Sequence, residues 1–326
     1  MLNGIIRRIL SAIPTLLVGI TLCFLIIHLA PGNPATRFLN PSQTAATQEI
    51  IRERFGLNQS LPIQYFHWLK QVLFHFDFGY SFYNGKDCTE VLISALGPTI
   101  ILSFWALVFA LSVGISLGIF TALRADTHVD RVINSTMMIF LSTPAFWLGL
   151  MFIGLFTIHL NWLPGSHLHS LYYDQLDSFG QLLDSVRHLI LPVFTLGLPL
   201  AATVFKYIRA GMIDALQSDY TLAARARGIR QSTILWKYSL KNSLLPLVSL
   251  LGVIIPALLS GAVIVEVVFA LPGVGRAMVT AVFGRDYPIL MAGASLAFFI
   301  VILFNIVADI FYRILDPRIR NSAGGL

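Results

Sequence analysis

Long stretches without a charged side chain dominate the hydropathy pattern of this chain. Six stretches of at least 18 residues contain no Asp, Glu, Lys or Arg. They are residues 9–36, 91–123, 132–173, 188–205, 242–265 and 287–308. A helix needs about 20 apolar residues to cross the hydrocarbon core, so the pattern predicts six membrane-spanning helices. The third stretch is long, but its apolar part fades at Asn161, which favours one span over two.

Composition agrees with this prediction and excludes several other classes of protein. Of the 326 residues, 56% are hydrophobic and 12% are charged, whereas a soluble domain has about 25% charged residues. The same composition excludes a disordered chain and collagen. Cys23 and Cys88 differ too much in setting to form a disulfide framework. We therefore predict an all-α integral membrane protein.

The distribution of basic residues predicts the orientation. If the N-terminus is cytoplasmic, most of the 22 Lys and Arg residues lie on the cytoplasmic side, as the positive-inside rule requires. Six spans then place both termini in the cytoplasm. Arg7 and Arg8 precede an apolar stretch that is longer than a usual signal core, which favours an uncleaved first span. The net charge of +6 follows from the asymmetry and requires no nucleic-acid partner.

The first outer segment, about residues 31–92, carries two helical patterns. The first is polar and covers residues 40–56. The second has apolar residues at helical spacing: Leu61, Tyr65, Trp68, Leu69, Val72, Leu73 and Phe76. His67, Lys70 and Gln71 fall on other faces, so this pattern predicts an amphipathic helix. It favours a helix that lies on the membrane or packs on the spans, and a dock for an outer partner is the alternative.

The second outer segment contains His167 and His169. Alternate histidines bind a metal only when a third or fourth ligand lies nearby. Asp174, Asp177 and His188 are available, but nothing fixes their geometry. We predict a solvated loop and no metal site.

The inner loop, residues 206–241, has the most informative pattern among the loops. Asp219 is placed to cap a short helix over residues 221–227, and Gly228 is placed to end it. Arg225 and Arg227 in the last turn suit the helix dipole. The small residues of this helix are Ala223, Ala224 and Ala226.

These small residues predict a shallow face that another protein approaches closely. A loop that only touched anionic lipid headgroups would need charge but no capped helix. The pattern therefore favours a protein–protein coupling element.

Motifs for chemistry in the chain itself are missing. The Gly85–Lys86 pair is followed by Asp87 and is not part of a phosphate-binding loop. No His-Glu-x-x-His zinc motif occurs. We predict that the chain is not an enzyme, holds no cofactor and cannot hydrolyse ATP alone.

Glu266 is the most notable charge near a span, because it follows an uncharged apolar stretch at the outer end of the fifth span. An ionisable residue at such a position is a functional candidate, and both a buried and an interfacial location remain open. A proton-coupled secondary carrier that uses Glu266 is one alternative function. A membrane receptor or scaffold is another.

Residues 219–228 (DYTLAARARG), followed by Leu245 and Pro246, resemble the conserved cytoplasmic loop of ABC importer permeases. Further motifs, in order along nearly the whole chain, are similar to the first permease subunit of dipeptide, oligopeptide and nickel importers. They are residues 28–34 (HLAPGNP), 55–58 (FGLN) with 61–65 (LPIQY), 77–81 (DFGYS), 144–148 (PAFWL), 162–164 (WLP), 188–192 (HLILP), 266–275 (EVVFALPGVG), 285–288 (RDYP) and 316–320 (DPRIR). One departure is Leu222, where the wider pattern begins with Glu.

The resemblance implies a type I ABC importer permease in a bacterial cytoplasmic (inner) membrane. Residues 1–91 would form the first transmembrane helix and an extracytoplasmic helical subdomain. Residues 92–316 would form the five-helix permease core with a coupling loop at about 206–245, and residues 317–326 a cytoplasmic tail. Its partners would be a second homologous permease, two ABC ATPase subunits that bind ATP and Mg²⁺, and an extracytoplasmic substrate-binding protein.

The resemblance also implies site residues and a class of substrate. Coupling to the ATPases is assigned to Asp219, Tyr220, Ala223, Ala224, Arg225, Arg227 and Gly228. Candidates for the pathway or its gate are Pro144, Phe146, Trp147 and Glu266. Di- or oligopeptides are the preferred substrates, and nickel chelates, glutathione or antimicrobial peptides are the alternatives.

Overall fold

The computed structural model describes residues 2–29, 58–259 and 262–315. Within these ranges the chain is helical, apart from loops and one bridge between Tyr80 and Asp87. The predicted polar helix over residues 40–56 and the predicted tail over residues 317–326 lie outside the described residues.

Eleven helices are described below in chain order. They are α1 (Leu2–Leu29), α2 (Leu61–His75), α3 (Cys88–Ala122), α4 (His128–Ser142), α5 (Ala145–Phe152), α6 (Ser178–Gln217), α7 (Asp219–Ala226), α8 (Leu240–Leu259), α9 (Val263–Val268), α10 (Val274–Gly284) and α11 (Tyr287–Leu315). Two π-helical segments extend them, Ile153–His159 after α5 and Ile234–Ser239 before α8.

Five helical stretches in the described part of the chain are long and apolar enough to cross a membrane. They are Leu10–Leu29, Cys88–Ala122, Ser178–Gln217, Leu250–Val268 and Tyr287–Val307. The fourth combines the described parts of α8 and α9, and residues 260 and 261 between them lie outside the described residues. Helices α4 and α5 form a sixth candidate with a bend of 104° between them. The predicted count of six is therefore reached if the bent pair is one span.

The bend has a local cause that the hydropathy pattern does not carry. Pro144 precedes α5, and a proline disfavours helical backbone at the residue before it. Thr143 accordingly adopts extended backbone, with φ −80° and ψ 126°. The uncharged stretch in which one span is predicted thus contains two helices.

The chain divides into two compact units. The first comprises residues 1–97 and 276–302, and the second comprises residues 98–275 and 303–326. In the first unit, Tyr65 and Trp68 of α2 pack against Ile20 and Phe24 of α1, which confirms the predicted amphipathic helix. The division predicted from sequence, at residues 91/92 and 316/317, stays a prediction.

The second unit is organised around α6. This helix has 40 residues, which corresponds to a length of about 60 Å at 1.5 Å per residue. The uncharged stretch ends at Phe205, but the helix continues to Gln217, so the start of the predicted loop is a rigid extension of the span. Ile208 and Met212 on this extension, together with Val204 just before it, are buried with Leu247 of α8.

Candidate functional site

Helix α7 begins at Asp219, the residue predicted to cap it, so the capping position lies one residue earlier. Ser218 occupies the capping position, with φ −72° and ψ 152°, and Asp219 is the first helical residue. The Ser218 hydroxyl does not cap α7 but donates to the carbonyl of Ala215, at 2.6 Å. The predicted capping role of Asp219 is therefore wrong, although a carboxylate in the first turn still suits the helix dipole.

The end of α7 lies where the sequence predicts it. Gly228 has a φ of +76°, which is left-handed backbone that favours glycine. Its N–H donates to the Arg225 carbonyl at 2.9 Å, and the Ile229 N–H donates to the Ala224 carbonyl at 3.2 Å. This pair of bonds satisfies carbonyls of the last turn and ends the helix.

One face of α7 is fixed to the end of α6. Thr221 is fully buried, and its hydroxyl donates to the Ala215 carbonyl at 2.7 Å. Ala224, three residues further on, is also buried. The expectation that three alanines form one shallow exposed face is therefore wrong for Ala224, which lies against its own chain.

The opposite face of α7 is open to solvent. The exposed residues are Asp219, Tyr220, Leu222, Ala223, Arg225, Ala226, Arg227 and Gly228. Residues three and four apart share a helix face, so Asp219, Leu222, Ala223 and Ala226 lie together, away from Thr221. Leu222 is 52% exposed and was not predicted as a site residue. The surface formed by Asp219, Leu222, Ala223 and Ala226, named the α7 face below, is shallow and partly apolar.

An ion pair fixes the extension of α6 that carries α7. Arg209 donates from Nε to Asp130 Oδ1 at 2.8 Å and from Nη2 to Asp130 Oδ2 at 2.6 Å. Asp130 lies in α4, is buried, and also accepts the Asp126 N–H. Two parallel bonds between fixed helices hold α4 on α6. Sequence reasoning missed this pair because no local pattern relates residues 79 positions apart.

Glu266 is fully buried, which settles the choice between a buried and an interfacial carboxylate. Thr99 of α3 donates its hydroxyl proton to Glu266 Oε1 at 2.7 Å. The same hydroxyl oxygen accepts the Val274 N–H at 2.9 Å. A Cβ on Gly273 would overlap the Glu266 carboxyl group, and one on Gly275 would lie 2.9 Å from its Oε2. The carboxylate is thus enclosed by the turn that follows its own helix.

Further bonds close the turn after α9. The Leu271 N–H donates to the Glu266 carbonyl at 2.8 Å, and Ala270 has a φ of +52°. The His167 N–H donates to the Phe269 carbonyl at 2.8 Å, so the predicted second outer segment is tied to this turn. Glu266 therefore lies inside a compact turn of its own unit.

The other pathway candidates lie on α5, which packs against α9. Pro144 precedes the first residue of α5, and Phe146 and Trp147 are each about half exposed. The opposite side of α5 is buried at Gly149, where a Cβ would contact the Phe269 ring. The structure therefore brings the helices of Glu266 and Trp147 together but places the two side chains in different surroundings.

The two loop histidines make local contacts. The His169 ring contacts the Tyr173 ring, with centroids 3.9 Å apart and a tilt of 34°, and its Nδ1 lies 3.2 Å from the Ser185 hydroxyl oxygen. Burial lowers the pKa of the His169 imidazole. In the ranges that the structure describes, no three His, Cys, Asp or Glu side chains are grouped as metal ligands would be.

Comparison with known proteins defines the class of this chain. Residues 114–321 match the family described as binding-protein-dependent transport system inner membrane component. Residues 1–103 match the N-terminal region described for the same systems. The chain belongs to this family.

Individual relatives cover almost the whole chain. It is 37% identical to the oligopeptide transport system permease protein AppB of Bacillus subtilis (strain 168), over 97% of this chain and 98% of the relative. It is 35% identical to the glutathione transport system permease protein GsiC of Escherichia coli (strain K12), over 98% and 99% of the two chains. This chain is thus a permease of an ABC importer and a multi-pass membrane protein.

A solved structure supports the fold alone. A chain of the MetNI methionine ABC transporter in inward-facing conformations aligns with a TM-score of 0.55 and 15% identity. The alignment covers 69% of this chain and 96% of the MetNI chain.

Proposed function

We propose that this permease forms half of the translocation pathway of an ATP-driven importer of di- or oligopeptides in a bacterial cytoplasmic membrane. The names of two relatives support the substrate class, because one refers to oligopeptides and the other to glutathione, itself a short peptide. Both termini would be cytoplasmic. A second homologous permease would supply the other half of the pathway, and an extracytoplasmic substrate-binding protein would deliver the peptide.

The α7 face carries this proposal. It contains the exposed residues Leu222, Ala223 and Ala226, with charged residues beside them. The other face of the helix is fixed to α6 by the hydrogen bond of Thr221. A partner that pushes on this face moves α6 with it, because the two helices are bonded and α6 is continuous to Ser178. Two ABC ATPase subunits would supply the push, one of them through this chain, and would bind the ATP and Mg²⁺.

The surroundings of Glu266 support an internal structural role over proton transport. A proton carrier must expose its carboxyl group to each side of the membrane in turn. Glu266 is instead held by Thr99 and closely packed by Gly273 and Gly275. In this proposal, Phe146 and Trp147, which are exposed in the single chain, are the better candidates to face the pathway.

The test uses the importer complex purified in lipid nanodiscs. ATP hydrolysis and peptide uptake are measured with and without peptide-loaded binding protein. Leu222→Arg places a long charged side chain at the centre of the α7 face, and Leu171→Arg is the matched control at a leucine that is 98% exposed elsewhere. We expect Leu222→Arg to lower stimulated ATP hydrolysis about tenfold or more, with no change for Leu171→Arg.

Two results would contradict different parts of the proposal. If Leu222→Arg keeps normal uptake and normal stimulation, the α7 face is not the coupling surface. If coupling is intact but no peptide stimulates ATP hydrolysis or competes for uptake, the substrate class is wrong.

A further inference from the structure

Helix α2 has one face packed on its own unit and two exposed faces that differ in character. The packed face carries Tyr65, Trp68, Leu69 and Val72, all partly buried. The remaining positions are solvent-exposed in the single chain, with one exception, the partly buried Gln64. These positions separate into an apolar and a polar stripe.

The apolar stripe consists of four large side chains. They are Ile63 (47% exposed), Phe66 (66%), Leu73 (53%) and Phe74 (74%). Steps of three, four, seven or eight residues relate most of these positions, so they line one side of the helix. The polar stripe follows the same spacing on the next side, with Gln64, His67, Gln71 and His75. Separate apolar and polar stripes do not stabilise a helix that is surrounded by water. They do stabilise a helix at a boundary between water and lipid, because the apolar stripe is buried in lipid while the polar stripe stays hydrated.

The depth of α2 follows from its contacts with α1. The Tyr65 hydroxyl lies 2.6 Å from the Thr21 hydroxyl oxygen, and the Tyr65 and Phe24 rings are 5.1 Å apart. The apolar span of α1 runs over Leu10–Leu29. Thr21 precedes its end by eight residues, which corresponds to about 12 Å along the helix. Since a span of this length covers the hydrocarbon core, the Tyr65 hydroxyl reaches the level of the acyl chains.

Helix α1 also has a surface of the kind that faces lipid. Val18, Leu22 and Ile26 of α1 are all more than half exposed in the single chain. Lys70 falls within the apolar stripe, four residues after Phe66 and four before Phe74. Its long side chain can extend to the polar side while its methylene groups stay in an apolar environment.

We propose that α2 is an interfacial membrane helix, with the stripe of Ile63, Phe66, Leu73 and Phe74 immersed in lipid and the stripe of His67, Gln71 and His75 facing water. Interfacial helices bury their apolar face about 5–10 Å into the headgroup and acyl boundary, a depth compatible with the Tyr65–Thr21 contact. The occupant of this surface is lipid and not a binding protein or a second copy of the chain. The inference goes beyond the proposed transport function and does not depend on the substrate.

The test measures the surroundings of α2 directly in the full-length chain in phosphatidylcholine nanodiscs. Cys23→Ser removes a partly exposed thiol, and Cys88 has no exposed surface, so it does not react with the label. Single cysteines at Phe66 or Phe74 then carry a bimane fluorophore. Gln71→Cys is the matched control on the polar stripe, and Ile26→Cys on α1 is the lipid reference. Quenching is compared between doxyl-labelled lipid and aqueous iodide.

If the proposal is correct, doxyl lipid and iodide rank the labelled positions in opposite order of quenching. Labels at positions 66, 74 and 26 are quenched about threefold more strongly by doxyl lipid than the label at position 71. Iodide quenches the label at position 71 most. Doxyl groups near the headgroup end of the chain act more strongly at positions 66 and 74 than groups near the bilayer centre.

Two outcomes would overturn the proposal. Equal iodide quenching at positions 66, 74 and 71 would place the whole exposed surface of α2 in water. Protection of positions 66 and 74 from both quenchers would mean that protein covers the stripe. If Phe66→Cys does not fold, Phe74→Cys alone decides between these outcomes, and Leu73→Cys supplies a second position.

Discussion

Helix α7 and the turn after α9 are two short structures made with similar parts but with opposite surfaces. The helices have 8 and 6 residues. Each structure is held by the hydroxyl of a buried threonine, Thr221 in one and Thr99 in the other. Each ends its helix near a residue with positive φ, Gly228 at +76° and Ala270 at +52°.

The partner of each threonine explains the difference. Thr221 bonds to a backbone carbonyl of α6, so the other side chains of α7 are free to face solvent. Thr99 bonds to the side chain of Glu266, and the following glycines close over that carboxylate. The first arrangement presents a surface to another chain, and the second supports the interior of its own unit.

An acidic residue in a span is therefore not in itself evidence for ion or proton chemistry. Glu266 attracts attention in the sequence because charge is rare there. In the structure the carboxylate accepts a hydrogen bond from Thr99 and is closely packed by Gly273 and Gly275, so its removal or displacement would open the turn. Asp219, an equally plain acidic residue in α7, is instead exposed and available to a partner.

The largest expected effect comes from overpacking the enclosed turn. In Gly275→Ala the new Cβ would lie 2.7 Å from the Val263 Cα, a backbone atom that cannot turn aside, and 2.9 Å from Glu266 Oε2. We expect a loss of about 3 kcal/mol in the free energy of unfolding. Thermal unfolding of the purified chain in detergent measures it.

Gly97→Ala is the control for the glycine substitution itself. Gly97 lies in α3, and a Cβ there would meet no atom within 4 Å. Alanine in a helix interior is favoured over glycine by about 1 kcal/mol, so this variant should be unchanged or more stable. Equal stability of the two variants would show that the turn is loosely packed and does not enclose the Glu266 carboxylate.

A second pair of substitutions removes the same hydroxyl from both structures. Thr99→Val leaves the buried Val274 N–H without its acceptor and removes a donor to Glu266, which should cost about 2 kcal/mol. Thr221→Val should cost less than about 1 kcal/mol, because the Ala215 carbonyl still accepts the Ser218 hydroxyl at 2.6 Å.

Thr221→Val, which has the smaller effect on stability, should have the larger effect on stimulated ATP hydrolysis. Thr221→Val loosens α7 on α6 and should lower the ATP hydrolysis that loaded binding protein stimulates, at nearly unchanged thermal stability. Stimulated hydrolysis in the importer complex and thermal unfolding are measured on the same preparations. A Thr221→Val variant with full stimulation would mean that the Thr221 bond does not transmit the motion.

Much of this arrangement could be predicted from sequence because it depends on neighbours along the chain. Charge-free stretches of sufficient length located the spans. The helix of α7 was predicted over residues 221–227 and is observed at Asp219–Ala226, with the predicted stop at Gly228. Glycine at a helix end and apolar spacing within a helix are local physical requirements.

The features that the sequence did not predict depend on contacts between residues far apart in the chain, or on which of two neighbouring residues takes a given position. Asp130 and Arg209 meet only because α4 packs on α6. Ser218 takes the capping position from Asp219 because of its bond to Ala215. Which alanine of α7 is buried depends on how that helix rests on α6, and Ala224 proves to be the buried one.

A stability effect smaller than those at Gly275 and Thr99 is expected at the end of α7. Gly228→Ala forces a side chain into left-handed backbone, which costs roughly 1–2 kcal/mol in general, and about 1 kcal/mol here because Gly228 is exposed with no atom within 4 Å of the new Cβ. Gly228→Asn is the matched control, since asparagine tolerates this conformation and should recover part of the loss. Stimulated ATP hydrolysis should fall in Gly228→Ala and recover in Gly228→Asn. If both variants lose stimulation equally, residue 228 must be a glycine because a partner approaches it closely, and not because of its backbone conformation. The surface that binds the partner would then extend from the α7 face to Gly228.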